Sequence, residues 1–294
     1  MASMISGAWV KRRLVNLAIG VALGLAIGAL MIRLLENRMI FPAPRYPQGF
    51  VPPETYGLKA EEVWLTTSDG VRVNGWFFPH AESSKVLLFF HGNAENIGTG
   101  LGRTKVLSAL GLNIFAVDYR GYGKSEGSPD EAGVYRDADA AYRYLTGERG
   151  FRPKDVIIHG VSLGGAVAID LASRVECGGL IAESTFTNAR DMARITFRIP
   201  LFAYLPESEF KSINKIARVR APVLIIHGRQ DDLIPFAMGE SLYQAAPQPK
   251  TFAPMDSAGH NDVLFANPDF YLESLRKFIA TLSPGSAADT APAN

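Results

Sequence analysis

Short apolar runs alternate along this chain with stretches whose apolar residues recur every three or four positions. The runs are "EEVWLTT" (61–67), "VRVNGWFF" (71–78), "KVLLFF" (85–90), "NIFAVD" (113–118), "DVIIHG" (155–160), "GLIAES" (179–184), "PVLIIHG" (222–228) and "KTFAPM" (250–255). Continuous apolar runs of this length read as strands buried on both faces. The first two, joined across "SDG", read as a hairpin. Helices are predicted between the others. One ends near Leu110. One opens at Ser128 and carries Val134, Ala138, Ala141 and Leu145 on its apolar face. One covers "LGGAVAIDLASRV" (163–175), one runs from about Phe236 to Ala246, and a terminal helix shows Tyr271, Leu275, Phe278 and Leu282. Ser128 and Glu131 have capping-box spacing, with Pro129 at the first helical position. The alternation predicts an α/β fold with a mostly parallel central sheet and helices on both faces, spanning 58–282. Ligands in such sheets sit at the carboxyl ends of the strands.

Four segments break the alternation. Leu14–Ile32 is 19 residues without a charge, with Asn16 its one polar residue. As a helix it is about 28 Å long, close to the hydrocarbon thickness of a bilayer. Residues 1–38 therefore read as a cytoplasmic stub and an uncleaved transmembrane anchor, since the run is longer than the apolar core of a signal peptide. Lys11, Arg12 and Arg13 precede the run and predict a cytoplasmic N-terminus, which places the rest of the chain outside the cytoplasm, in the periplasm if the cell is bacterial. Gly20, Gly24 and Gly28 lie on one face of this helix. They either allow a homodimer by close helix approach or reflect the frequency of glycine in membrane helices. Residues 39–57 hold five prolines and read as an extended tether. Residues 185–218 read as a small lid rich in Met192, Ile195, Phe197, Ile199, Leu201, Phe202, Tyr204 and Phe210. It forms either an acyl-chain groove or a cap on its own core. Residues 283–294 are small and polar and read as a disordered tail.

Charge changes this picture by exclusion. The chain of 294 residues carries 30 Lys and Arg against 29 Asp and Glu, a net charge of +1. That balance gives no footprint for nucleic acid. Cys177 is the single cysteine, so no internal disulfide forms, and it reads as a buried small hydrophobe. No His-Glu-x-x-His or paired Cys-x-x-Cys occurs, so neither a metal nor a cofactor is implied. "GYGKS" has Asp118 where a phosphate-binding loop needs its first glycine.

The candidate chemistry gathers at strand ends. "HGVSLGG" places Ser162 between Gly160 and Gly164. Composition alone would produce Gly-x-Ser-x-Gly in roughly one such chain in six, so the motif needs context. It has that context: a strand before it and a helix after it, which is a nucleophile elbow. A serine hydroxyl needs a base and a group that orients the base. His91, His159 and His227 each precede a glycine at a strand end and read as packing and turn residues. His260, in the loop "SAGHND" after the last strand, reads as the base. In "HGRQDDLIP" Asp231 is preferred over Asp232 as the orienting acid, and Asp256 and Asp262 are weaker candidates. The N–H of Leu163, at the start of the helix, and that of Asn93, after "LLFFHG", are assigned to an oxyanion hole.

"LFFHGNAENIG", "DYRGYGKSEG", "GVSLGG", "PVLIIHGRQDDLIP" and "AGHND" occur in order between Ile40 and Leu282. In these motifs the chain resembles the α/β-hydrolase superfamily, and most closely its single-pass, N-terminally anchored serine hydrolases. Some eukaryotic members of that group remove palmitate from protein cysteines and carry an N-terminal cysteine cluster; this chain has no cysteine before Cys177. The resemblance implies the α/β-hydrolase fold. It also implies a membrane-anchored serine hydrolase that cleaves carboxylic esters or thioesters of small molecules or lipids through an acyl-enzyme on Ser162. The alternatives are a peptidase acting on short peptides and a catalytically silent binding protein.

Overall fold

Eight strands form one sheet in the computed structural model, which describes residues 7–47, 50–196 and 208–282. In chain order they are β1 (Glu61–Thr66), β2 (Arg72–Phe78), β3 (Val86–Phe90), β4 (Asn113–Val117), β5 (Val156–Val161), β6 (Gly179–Glu183), β7 (Val223–Gly228) and β8 (Lys250–Met255). Their order across the sheet is β1-β2-β4-β3-β5-β6-β7-β8. β1 and β2 pair antiparallel, as does β2 with β4, and every pairing from β4 to β8 is parallel.

Side chains alternate across a strand, so one apolar run supplies two cores. Val86, Leu88 and Phe90 enter one core, and Leu87 and Phe89 enter the other. The first core is closed by α3 (Glu131–Arg143), α4 (Leu163–Ala172), α6 (Ser212–Ile216) and α7 (Phe236–Ala245). The second is closed by α2 (Leu101–Ser108), α8 (Val263–Ala266) and α9 (Pro268–Thr281). The predicted apolar faces are the buried ones. Val134, Ala138, Ala141 and Leu145 are fully buried, and so are Tyr271 and Leu275. α4 is buried along its whole length, which explains why its sequence shows little polar punctuation.

Two expectations are corrected. The capping box does not form: α3 begins at Glu131, and its N-cap is Asp130, whose carboxylate accepts from Gly133 N at 2.5 Å. Asp130 is in extended conformation, which a cap requires. Glu131 instead accepts from the backbone N–H groups of Glu209 (2.6 Å) and Phe210 (2.9 Å). Nor is 39–57 a free tether. Phe41 is buried, the Phe50 ring packs edge-on against Trp76 at 5.4 Å, Arg45 bridges to Gly123, and Pro53–Tyr56 form one 3-10 turn. Its aromatic side chains gain more by burial on the domain than the segment loses by ordering.

α1 (Gly7–Ile40) is one continuous helix, and its large apolar side chains are exposed. The expected span falls on it. Among the described residues, however, no helix is long and apolar enough to cross a membrane. Of the expected lid, α5 (Ala189–Thr196) and the return from Ser208 are described; Phe197, Ile199, Leu201, Phe202 and Tyr204 lie outside the described residues. The expected tail at 283–294 also lies outside them.

Candidate active site

The turn from β5 into α4 holds Ser162 at φ 54° and ψ −117°, a region that residues with a Cβ rarely occupy. Crowding makes glycine obligatory on both sides. A Cβ on Gly160 would lie 1.9 Å from the Gly164 carbonyl oxygen, and one on Gly164 would lie 2.2 Å from that of Phe90. Ser162 N–H donates to the Glu183 carbonyl (2.8 Å), while its own carbonyl accepts from Thr185 Oγ1 (2.7 Å) and Gly165 N (3.0 Å). The strained turn is thus bonded on both sides to the end of β6.

Three predicted residues meet here from three strand ends. Ser162 Oγ lies 3.1 Å from His260 Nε2, and His260 Nδ1 lies 2.8 Å from Asp231 Oδ2. With Nδ1–H donating to the carboxylate, Nε2 carries the lone pair and accepts a hydrogen bond from the Ser162 hydroxyl. Asp231 Oδ1 accepts from Leu233 N (3.0 Å) and Ile234 N (2.7 Å), which fixes the carboxylate plane. Burial alone would raise its pKa, but hydrogen bonds from His227, His260 and Ile234 N hold it well below the usual carboxylate range. Asp232 is exposed. Asp256 pairs with Arg229 at 2.7 Å, and Asp262 Oδ1 accepts from Gly259 N at 2.6 Å, so neither orients His260.

The other strand-end histidines lie in different surroundings. His159 is fully buried and turned toward Glu183 (3.2 Å). Burial lowers its pKa, so it stays a neutral donor. Glu183 also accepts from Arg103 (2.7 Å) and Tyr271 (2.8 Å). Burial opposes its charge, yet Arg103, His159 and Tyr271 bring its pKa down to about 2. His227 donates to the Ile234 carbonyl (2.9 Å) and stands 3.4 Å from Asp231, so it braces the acid loop. His91 Nδ1 lies 2.8 Å from the Gly92 carbonyl.

Among the described residues no acceptor takes the backbone N–H of Leu163 or of Asn93, which leaves both available to a ligand. The Asn93 side chain is bonded to neighbouring segments: Nδ2 donates to the Ile40 carbonyl (2.5 Å), and Oδ1 accepts from Tyr122 Oη (2.8 Å). Tyr119 Oη donates to the His91 carbonyl (2.9 Å). The sequence reading missed Tyr119, Tyr122, Thr185 and Ile40 as parts of the site. "DYRGYG" was a signal for the first two, but its glycines spoke only of a turn. Among the described residues no group of three or more His, Cys, Asp or Glu side chains is placed to hold a metal ion.

The parallel sheet, the serine elbow and the histidine loop after the last strand define an α/β hydrolase. The model of the family described as Serine aminopeptidase, S33 matches residues 81–205. An uncharacterized protein of Mycobacterium tuberculosis is 34% identical over 258 residues, covering 86% of this chain and 91% of its own length. The α/β hydrolase domain-containing protein 17C of Mus musculus is 38% identical over 238 residues, covering 78% of this chain and 71% of its own. A solved Pyrococcus furiosus esterase superposes with a TM-score of 0.71 at 21% identity, over 82% of this chain and 96% of that one, a likeness of fold. The chain belongs to the α/β-hydrolase superfamily.

Proposed function

We propose that the chain is a serine hydrolase that cleaves carboxylic esters or thioesters through an acyl-enzyme on Ser162. The observation that carries this reading is the hydrogen-bonded line from Ser162 Oγ through His260 to Asp231, at 3.1 and 2.8 Å. His260 Nε2 takes the serine proton as Oγ attacks the acyl carbonyl. The N–H groups of Leu163 and Asn93 bind the oxygen that becomes negative, at the N-terminus of α4, where the helix dipole also favours an anion. Asp231 holds the imidazole in the required tautomer and balances its charge. The intermediate collapses when His260 protonates the leaving alcohol or thiol. Water then repeats the sequence and frees the acid and Ser162. A fluorophosphonate probe should label the wild type and leave Ser162→Ala unlabelled; label retained in the variant would refute the assignment.

A second reading, peptidase action on short peptides, draws support from the description of the matching family. Matched p-nitrophenyl ester and p-nitroanilide substrates separate the two, and the ester should be turned over at least tenfold faster.

We further read Leu14–Ile32 as a membrane tether. The exposed apolar flanks of α1 support it, and the basic cluster at Lys11–Arg13 supports a cytoplasmic N-terminus with the hydrolase domain outside. Protease added to sealed right-side-out membranes should digest the hydrolase domain, and full protection would reverse the orientation.

A further inference from the structure

The loop after β3 carries a carboxylate that the reaction above does not use. Within residues 93–99 the polar side chains of Asn93, Asn96 and Thr99 are all hydrogen-bonded. Asn96 Oδ1 accepts from Gly98 N (3.0 Å) and Thr99 N (2.9 Å), its Nδ2 donates to the Pro44 carbonyl (3.4 Å), and Thr99 Oγ1 donates to the Asn96 carbonyl (3.0 Å). Glu95 stands half-buried between the two anchored asparagines. Its carboxylate accepts no hydrogen bond and forms no ion pair among the described residues. Arg103 is near enough to feel its charge, but that guanidinium is buried and bonded to Glu183 at 2.7 Å.

Gly92 shows where the carboxylate lies. A Cβ on this residue would meet Glu95 Oε2 at 3.6 Å and Ser162 Cβ at 3.7 Å. The carboxylate and the nucleophile therefore border the same small space, which glycine leaves open. Between Asn93 and Glu95 the chain turns through Ala94 at φ 57°. Residues with a Cβ rarely adopt that conformation, and strain of this kind gathers at functional sites.

Charge decides what such a group does. Attack on an acyl carbonyl builds negative charge at the N–H groups of Leu163 and Asn93, and a neighbouring carboxylate opposes it. For a neutral ester Glu95 is a handicap. A substrate that brings a positive charge to the carboxylate turns the handicap into attraction, and the lack of an internal partner leaves Glu95 free to supply it. We propose that Glu95 is a specificity residue, selecting esters or thioesters that carry an ammonium group within a few bonds of the scissile carbonyl. The inference rests on the serine-hydrolase reading above.

The test uses the full-length protein in detergent and two matched substrate pairs. Acetylthiocholine and S-(3,3-dimethylbutyl) thioacetate place the cation, or its carbon isostere, on the leaving group. The p-nitrophenyl esters of 4-(trimethylammonio)butyric acid and 5,5-dimethylhexanoic acid place it on the acyl group. The readout is the ratio of kcat/KM within a pair, cation over isostere, which cancels any general loss of activity in a variant. In the wild type the ratio should exceed one in at least one pair, and that pair tells which side of the substrate meets the carboxylate. Glu95→Gln keeps the size and removes the charge, and should lower that ratio about threefold or more, the scale of one partly screened charge pair. A wild-type ratio of one or less in both pairs overturns the proposal, and so does a ratio that Glu95→Gln lowers less than threefold. A wild type that turns over none of the four substrates refutes the hydrolase reading instead. Calorimetric titration with 4-(trimethylammonio)butyramide and 5,5-dimethylhexanamide then decides the role of Glu95. Tighter binding of the cationic amide, lost in Glu95→Gln, supports it, and any other result overturns it.

Discussion

Asn93 is proposed to act through its backbone N–H, while its side chain is bound to neighbouring segments. The N–H assigned to the oxyanion is held in place by a side chain whose amide is bonded to Ile40 and Tyr122. Removing the Tyr122 hydroxyl leaves Oδ1 with only Ala94 N, at 3.1 Å. Outright loss of an oxyanion donor costs about 10²–10³ in rate, and displacement of one costs less. Tyr122→Phe should therefore lower kcat about tenfold on a short ester with KM unchanged, read by steady-state kinetics; an unchanged kcat would remove Tyr122 from the site. That Ser162, His260 and Asp231 would meet was legible in the sequence, because Ser, Asp and His stand after strand ends in the order such a line needs. The brace was not. Tyr122 and Ile40 are 29 and 53 residues from Asn93, and the acceptor at Ile40 is a backbone carbonyl, which leaves no mark in a sequence.

Among the elements, all eight strands were legible: the central ones because a two-face-buried strand must be apolar throughout, and β1 because its apolar residues alternate beside a turn signal. The start of α3 was misread because Ser128 and Asp130 both satisfy the preference for a cap, and only tertiary packing chooses between them. That choice frees Glu131 for the return of the lid segment. There it holds Glu209 N and Phe210 N, with Phe210 at φ 40° and its ring fully buried among Phe41, Tyr135 and Phe186. Two hydrogen bonds from backbone amides to a carboxylate, the second holding a residue in left-handed conformation, should stabilise this junction by about 2 kcal/mol. Glu131→Ala should lower unfolding free energy by about that amount in urea titrations, and Glu131→Gln by about half. Equal stability of all three proteins would show that the lid return is held by its aromatic contacts alone. The segment 39–57 was misjudged for a related reason: proline content reports backbone stiffness but not whether neighbouring aromatics find a surface.

For the molecule as a whole, the second core encloses a buried charge cluster of Glu183, Arg103, His159 and Tyr271. Glu183 ordinarily titrates at 4.5 and in the fold at about 2, so below pH 4.5 the unfolded chain binds a proton that the folded chain refuses. Its contribution is complete above pH 4.5 and is lost as the pH falls toward 2. The urea midpoint should fall between about pH 5 and pH 3. Glu183→Gln should flatten that fall and should be less stable at pH 7, where Arg103 loses its partner; an unchanged slope would place the acid sensitivity elsewhere. Composition gave no warning of this cluster, since a nearly balanced net charge says nothing of where the charges sit. The same long-range architecture has a consequence for biosynthesis. His260 follows Ser162 by 98 residues and Asp231 by 29. A chain emerging from the ribosome therefore displays its serine elbow long before it owns a base. Until β8 and the loop behind it are released and docked, the hydroxyl is as inert as any other, and no nascent chain can acylate itself before its fold is complete.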